Sequence, residues 1–410
     1  MLDLAVALET QIKEKAEKNL TENQKIFLRF LNRGKPPCDY GRQLLEKDGD
    51  RLNAIFQDKI IPPKEIEIQP SSKCNLKCRH CFGKALTSGT LEDKISEEEI
   101  DIIANRINDF SENGFRAGET IKLCGTTGEP LVNPASLYSI KSFKAINRKV
   151  VFFTNGLWLD KKYKGRLYLE YILEADSLRL SLDAGSEETF TRLKGRKGFN
   201  RIINNLKVLL QKRAHQKSNL DVTIGYVVGR ENYHDIIQAT QIMKNLRVDE
   251  IRFRVDFTDP EGIHKLSEVI TKNIEKAKQL QTAKFKVNSV YSKQDIEEES
   301  IFHAYNGLCF NQHFWACIGP NAELYACGHR TYLGVESYGS LLEHPFRELW
   351  LSKLRLDNLK NLPDEKCKFC SPSSGERNQF GNFLYKLKKE NIENYAKNEA
   401  PHPKGRGINT

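Results

Sequence analysis

Six short stretches with strand character recur along the middle of the chain: "EIEIQ" (65–69), "TIKLCG" (120–125), "KVVFFTNG" (149–156), "SLRLSLDA" (177–184), "DVTIGYVVG" (221–229) and "DEIRFRVDF" (249–257). Helical patterns fill the gaps. "GFNRIINNLKVLLQKR" and "ENYHDIIQATQIMKNL" place apolar residues three and four apart, and Ser96 with Glu99 forms a capping box ahead of "EIDIIANRINDF". Strands separated by helices cannot close as tight hairpins. They need crossovers, and so they lie parallel. The pattern predicts an α/β fold: a partial (β/α)6 TIM-like barrel of parallel strands, with its chemistry on the loops that follow the strand ends.

The flanks differ from this repeat. A chain of 410 residues is long for one domain, and four segments are expected. Residues 1–63 read as a helical N-terminal extension that stops at Pro62 and Pro63, 64–300 as the barrel, 301–374 as a small cysteine-rich domain, and 375–410 as a polar, unstructured tail. No run approaches the roughly 18 apolar residues of a spanning helix, and the first residues turn charged too early for a signal peptide. The expected location is cytoplasmic, with no membrane partner. The net charge is +10, but acids and bases are intermixed with no basic stripe, so nucleic acid is not the expected partner.

In a reducing compartment clustered thiols read as metal ligands or catalysts rather than disulfides. Three of the ten cysteines, Cys74, Cys78 and Cys81, lie within eight residues, directly after the first strand. Thiolates suit Fe–S clusters and zinc. Three thiols on a [4Fe–4S] cluster leave one iron open to a small molecule. The competing reading is a structural zinc site that adds His80, although His80 is adjacent to Cys81 and makes an awkward chelate. Five more cysteines lie between 309 and 370, whereas Cys38 and Cys124 stand alone and read as ordinary small thiols.

"CNLKCRHC" resembles the CxxxCxxC loop of the radical S-adenosylmethionine (radical SAM) superfamily. "TTGEP" (126–130) is similar to that family's GGEP motif, with Thr127 in place of the first glycine, and "SLDAG" (181–185) resembles the segment near the ribose and carboxylate of SAM. The resemblance implies a [4Fe–4S] cluster on Cys74, Cys78 and Cys81. It also implies SAM contacts from Thr127, Gly128, Glu129, Pro130, Ser181 and Asp183, and a reductant such as flavodoxin or ferredoxin. The chemistry implied is reductive cleavage of SAM to a 5′-deoxyadenosyl radical, which abstracts hydrogen from a peptide or small-metabolite substrate.

The downstream cysteines resemble the SPASM or shortened twitch extension of many such enzymes. "IGPNAELYAC" is similar to its hairpin, with Ala322 where a turn glycine is usual. That likeness implies an auxiliary [4Fe–4S] cluster on Cys309, Cys327, Cys367 and Cys370, for electron transfer or substrate binding, and leaves Cys317 unassigned. A zinc ribbon competes for those four thiols. The alternative function is a non-enzymatic Fe–S or zinc protein that carries electrons or binds nucleic acid.

Other polar residues have two readings each. Glu129 could bind its own loop or the cofactor, Asn155 reads as turn chemistry, and Lys194 reads as a solvated helix lysine, with pairing to the cofactor carboxylate as the alternative. Arg252 and Arg254 alternate with Phe253 and so share one strand face; they become substrate-binding candidates if that face is the barrel interior.

Overall fold

The computed structural model describes residues 40–81, 83, 94–126, 128–256, 258–289, 307–367, 370 and 372–389. The chain forms two compact units. One comprises 62–302 and 314–358; the other comprises 1–61, 303–313 and 359–410. The boundary therefore runs through the expected cysteine-rich segment, and 314–358 groups with the barrel.

In the larger unit the six expected strands are present as β1 (Glu65–Ile68), β2 (Thr120–Leu123), β3 (Lys149–Thr154), β4 (Ser177–Ser181), β5 (Asp221–Val228) and β6 (Glu250–Val255). They lie side by side in chain order and all pair in parallel. Three further strands extend the sheet: β7 (Lys286–Ser289) beside β6, β8 (Trp315–Ile318) parallel to β1, and β9 (Leu324–Tyr325) antiparallel to β8. β8 is why 314–358 belongs here, since Glu65 is in register with Trp315 and Glu67 with Cys317. β7 and β9 form the two ends of the sheet, so the barrel is partial.

The strand alternation sorts side chains cleanly. Ile66, Ile68, Ile121, Leu123, Val150, Phe152, Leu178, Leu180, Val222, Ile224, Ile251 and Phe253 are buried on the outer face. The crossover helices bring their own apolar stripes: α2 (Glu97–Asn108), α3 (Ala135–Ala145), α4 (Tyr168–Ile172), α5 (Glu187–Lys194), α6 (Phe199–Gln216), α7 (Ile236–Leu246) and α8 (Pro260–Lys278). Ile100, Ile103 and Ile107 of α2 and Ile202, Leu206 and Leu209 of α6 are fully buried, as an amphipathic period requires. The Ser96–Glu99 capping box forms, with Ser96 Oγ accepting the Glu99 N–H and Glu99 Oε2 accepting the Ser96 N–H.

In the smaller unit, α1 (Tyr40–Phe56, broken at Asp48) packs with α11 (Pro372–Lys389). Among the described residues α9 (Phe346–Trp350), in the larger unit, and α10 (Lys353–Asn361) precede α11. The Phe56 ring meets Phe310 at 6.1 Å and Tyr385 at 6.2 Å. Residues 375–389 are thus helical where an unstructured tail was expected. Phe380 and Leu384, four apart, are buried, and that burial outweighs the polar composition. The remainder of the expected N-terminal extension and of the tail lies outside the described residues.

Candidate active site

Three segments distant in sequence meet at the C-terminal ends of β1 to β4. The cysteine loop follows β1 and is anchored on both sides. The Lys77 and Arg79 N–H groups donate to the carbonyls of Lys194 (3.1 Å) and Leu193 (2.9 Å), satisfying acceptors that the end of α5 leaves open. Gly195, at φ 75°, ends that helix in the left-handed conformation that lets Lys77 approach. On the other side, Asn155 Nδ2 donates to Asn75 Oδ1 at 2.7 Å, so Asn155 is more than turn chemistry.

The "GTTGEP" loop interlocks with the same segment. Glu129 N–H donates to the Lys73 carbonyl at 2.9 Å. A Cβ on Gly128 would collide with the Ser71 carbonyl oxygen, so only glycine permits this approach. The buried Glu129 carboxylate accepts from Thr154 Oγ1 (2.6 Å), Leu131 N–H (3.1 Å) and Asn155 N–H (2.8 Å). Burial pushes its pKa up against these bonds. Its own loop and β3 therefore engage Glu129, and Pro130 is buried behind it at the start of a short 3-10 turn. Thr127 lies outside the described residues.

"SLDAG" supplies the electrostatic centre. Ser181 is exposed at the end of β4. Asp183, 2% exposed and at φ 58°, forms a buried ion pair with Lys194 Nζ, and its Oδ2 lies 3.2 Å from His80 Nε2. Its Oδ1 accepts the Val227 N–H at 2.6 Å and its carbonyl accepts Asn232 Nδ2 at 2.8 Å. Burial alone would raise the Asp183 pKa, but the Lys194 charge and the His80 contact outweigh it and hold the carboxyl well below the usual range. The structure thus corrects the picture of Lys194 as a solvated lysine: it is 3% exposed. It also gives His80 a partner other than a metal.

Cys74 is exposed, Cys78 and Cys81 half-buried. Leu76 N–H donates to Cys74 Sγ at 3.4 Å. Burial, the Glu129 carboxylate and the other two thiols push Cys74 up to about 12. Because Cys74 is solvent-exposed, the neighbouring charges are a firmer cause than burial. Three thiolates this close ionise together only beside a cation, and an iron cluster supplies one. Lys194, whose pKa is raised chiefly by Asp183 and also by Cys78 and Cys74 against its burial, adds positive charge on the same side. Among the described residues no three His, Cys, Asp or Glu side chains converge on a single-ion position. A cube does not require that convergence, because each thiol binds a different iron. The donor set fits a [4Fe–4S] cluster.

Of the other cysteines, Cys309, Cys367 and Cys370 belong to the smaller unit and Cys327 to the larger. Within the smaller unit Asn378 links two of their surroundings: its Oδ1 accepts the Asn311 N–H at 2.7 Å and its Nδ2 lies 4.0 Å from Cys370 Sγ. Within the larger unit the carbonyl of Gly328, next to Cys327, accepts from Gln69 Nε2, Thr126 Oγ1 and Thr331 Oγ1. Cys317 is buried on β8.

The sheet's inner face, opposite the aliphatic one, is charged. Lys122 Nζ pairs with Glu65 Oε2 at 2.7 Å; Arg179 meets Thr223, Asp221 (3.2 Å) and Glu250 (3.8 Å); Arg252 holds both Glu250 oxygens. A packed barrel is filled by branched aliphatic side chains. This one presents a polar chamber.

A partial parallel barrel with three clustered thiols at its mouth and a glycine-gated loop against them defines a cluster-bearing barrel enzyme. Residues 68–243 match the family described as the Radical SAM superfamily, and over that stretch the chain is similar to its members. The superfamily's cofactors are a [4Fe–4S] cluster and SAM.

A "Probable GTP 3′,8-cyclase" of Saccharolobus islandicus is 27% identical over 52% of this chain and 66% of its own length, just under two thirds. An "AdoMet-dependent heme synthase" of Methanosarcina barkeri is 23% identical over 75% of this chain and 88% of its own. Among solved structures, SuiB of Streptococcus suis bound to precursor peptide SuiA aligns with a TM-score of 0.56 at 15% identity, over 80% of this chain and 75% of that one. anSMEcpe with bound AdoMet gives 0.52 at 15% identity, over 82% and 100%. These two likenesses support the fold. Among the described residues no helix is long and apolar enough to cross a membrane.

Proposed function

We propose that this protein reductively cleaves SAM and uses the resulting 5′-deoxyadenosyl radical to abstract hydrogen from a peptide or small-metabolite substrate. The observation that carries this reading is the interlock of the cysteine loop with two other strand-end loops, through Gly128 and Glu129 on one side and Asp183, Lys194 and His80 on the other. The likeness to a peptide-bound SuiB supports a peptide substrate, and the likeness to a heme synthase supports a small one.

In this reading Cys74, Cys78 and Cys81 hold the cluster, which when bound supplies the electron and the open iron for SAM. The chain's residues orient the reactants. Gly128 leaves room for close backbone approach, Glu129 keeps its loop rigid, and exposed Ser181 offers a hydroxyl at the mouth. Lys194 lowers the cost of negative charge beside the thiols. An auxiliary cluster on the downstream cysteines and an external reductant such as flavodoxin or ferredoxin complete the proposal.

Anaerobic incubation of reconstituted, dithionite-reduced protein with SAM tests it. Accumulation of 5′-deoxyadenosine is expected; intact SAM alongside a full iron complement would rule the reading out in favour of an electron carrier.

A further inference from the structure

The charged inner face is not uniformly neutralised. On β6, residues 250, 252 and 254 point to this face, while Ile251, Phe253 and Val255 are buried on the other. Glu250 is saturated: Oε1 accepts from Arg252 Nε (2.8 Å) and Asn288 Nδ2 (3.0 Å), and Oε2 from Arg252 Nη2 (3.1 Å) and Thr223 Oγ1 (3.2 Å). Arg179 is shared between Glu250 and Asp221. Arg254 differs from both. It is exposed, and among the described residues no side chain hydrogen-bonds or ion-pairs with it. Asp256, the next residue on that face, makes no ion pair with it, and its Oδ1 instead accepts the Thr258 N–H and hydroxyl.

Its level in the barrel is informative. Arg254 is in register with Val227, whose N–H binds Asp183 Oδ1. Asp183 in turn contacts His80 of the cysteine loop. The uncommitted guanidinium thus stands at the mouth end of the inner face, one strand from the group beside the cluster loop, while the paired charges lie deeper. Arg252 and Arg179 stand on the same face below it, so an incoming anion meets three guanidinium groups on the face that also carries Glu250 and Asp221. Arginine's planar fork matches carboxylate and phosphate oxygens.

We propose that Arg254 binds an anionic group of the substrate, a carboxylate or a phosphate, and so orients the carbon that loses hydrogen. The proposal rests on the reading of the chain as a SAM-cleaving enzyme and narrows its substrate to one that carries an oxyanion.

Calorimetric titration of the reconstituted, SAM-bound protein tests it, with sodium pyrophosphate and sodium glutarate as separate probes at about 0.15 M salt, where diffuse surface attraction is screened. One anion should bind with unit stoichiometry, and Arg254→Gln should weaken it about tenfold or more, as expected for losing a charge-assisted hydrogen bond. Preference for pyrophosphate assigns a phosphate-bearing substrate and preference for glutarate a carboxylate-bearing one. Independently of any variant, the preferred anion should slow phenylglyoxal modification of Arg254 in the wild-type protein, followed by peptide mass spectrometry. Failure of both anions to bind, equal affinity in Arg254→Gln, or unprotected Arg254 would each overturn the proposal. The underlying reading is scored separately, by 5′-deoxyadenosine release from wild-type protein without any added anion.

Discussion

The two cysteine regions differ in how their thiols are distributed along the chain. Cys74, Cys78 and Cys81 come from one eight-residue loop anchored within one compact unit: α5 holds one side, "GTTGEP" the other, and Asn155 the middle. Cys309, Cys327, Cys367 and Cys370 are spread over the last hundred residues and across both units. A local loop needs little chain entropy to close, whereas a dispersed ligand set depends on the fold, the metal or both. The first region should therefore behave as a preformed site, and the second as one that couples metal to structure.

The largest effect should come from the local site. Cys78→Ala is expected to lower 5′-deoxyadenosine formation to background while circular dichroism stays native, because the loop lies at the mouth and not in the core. Retained cleavage would break the comparison at once. Cys370→Ala should act on iron and product and not on radical generation. Iron falls by about half as one of two cubes is lost, SAM cleavage persists, and product formation fails. Normal product from a folded, half-iron variant would remove the auxiliary cluster from the function. Rapid proteolysis of the C-terminal segment would instead mark the dispersed site as a structural clip.

Smaller effects probe the scaffold of the local site. Asp183→Asn leaves the Lys194 charge buried without its counter-ion and should cost about 3 kcal/mol or more in denaturant unfolding. Its pH signature has a definite sign. The Asp183 carboxyl is held below its ordinary value, so its stabilisation is present above the unfolded value of about 4 and is lost only as pH falls through the lower folded one. The variant should lack that acid-side decline and differ from wild type by a constant amount between about pH 5 and 8. A difference that vanishes at neutral pH would contradict the buried pair. Gly128→Ala should be milder, about 1–3 kcal/mol as the backbone shifts away from Ser71, with weaker SAM binding by equilibrium dialysis. Unchanged SAM affinity would detach that glycine from the cofactor.

The repeating parts follow from the linear chain. The six strands were legible because each buries one aliphatic face, and a period of two survives in the linear chain. The Ser96 capping box and the cysteine loop were legible because their partners lie within a few residues. The grouping of Arg252 with Arg254, opposite Phe253, followed from alternation alone.

The remaining features depend on partners far apart in the chain. β8 draws its pairing from a strand about 250 residues earlier, and nothing in "WACI" announces it. α11 is held by contacts with α1, which outweigh its polar composition. Lys194 looks like any helix lysine until Asp183, turned into a left-handed conformation, meets it in a dry site. The distinction between committed Arg252 and uncommitted Arg254 depends on whether a carboxylate stands within hydrogen-bonding reach. Local periodicity fixes which face a side chain takes, but its charge partner is set by which strands the fold makes neighbours.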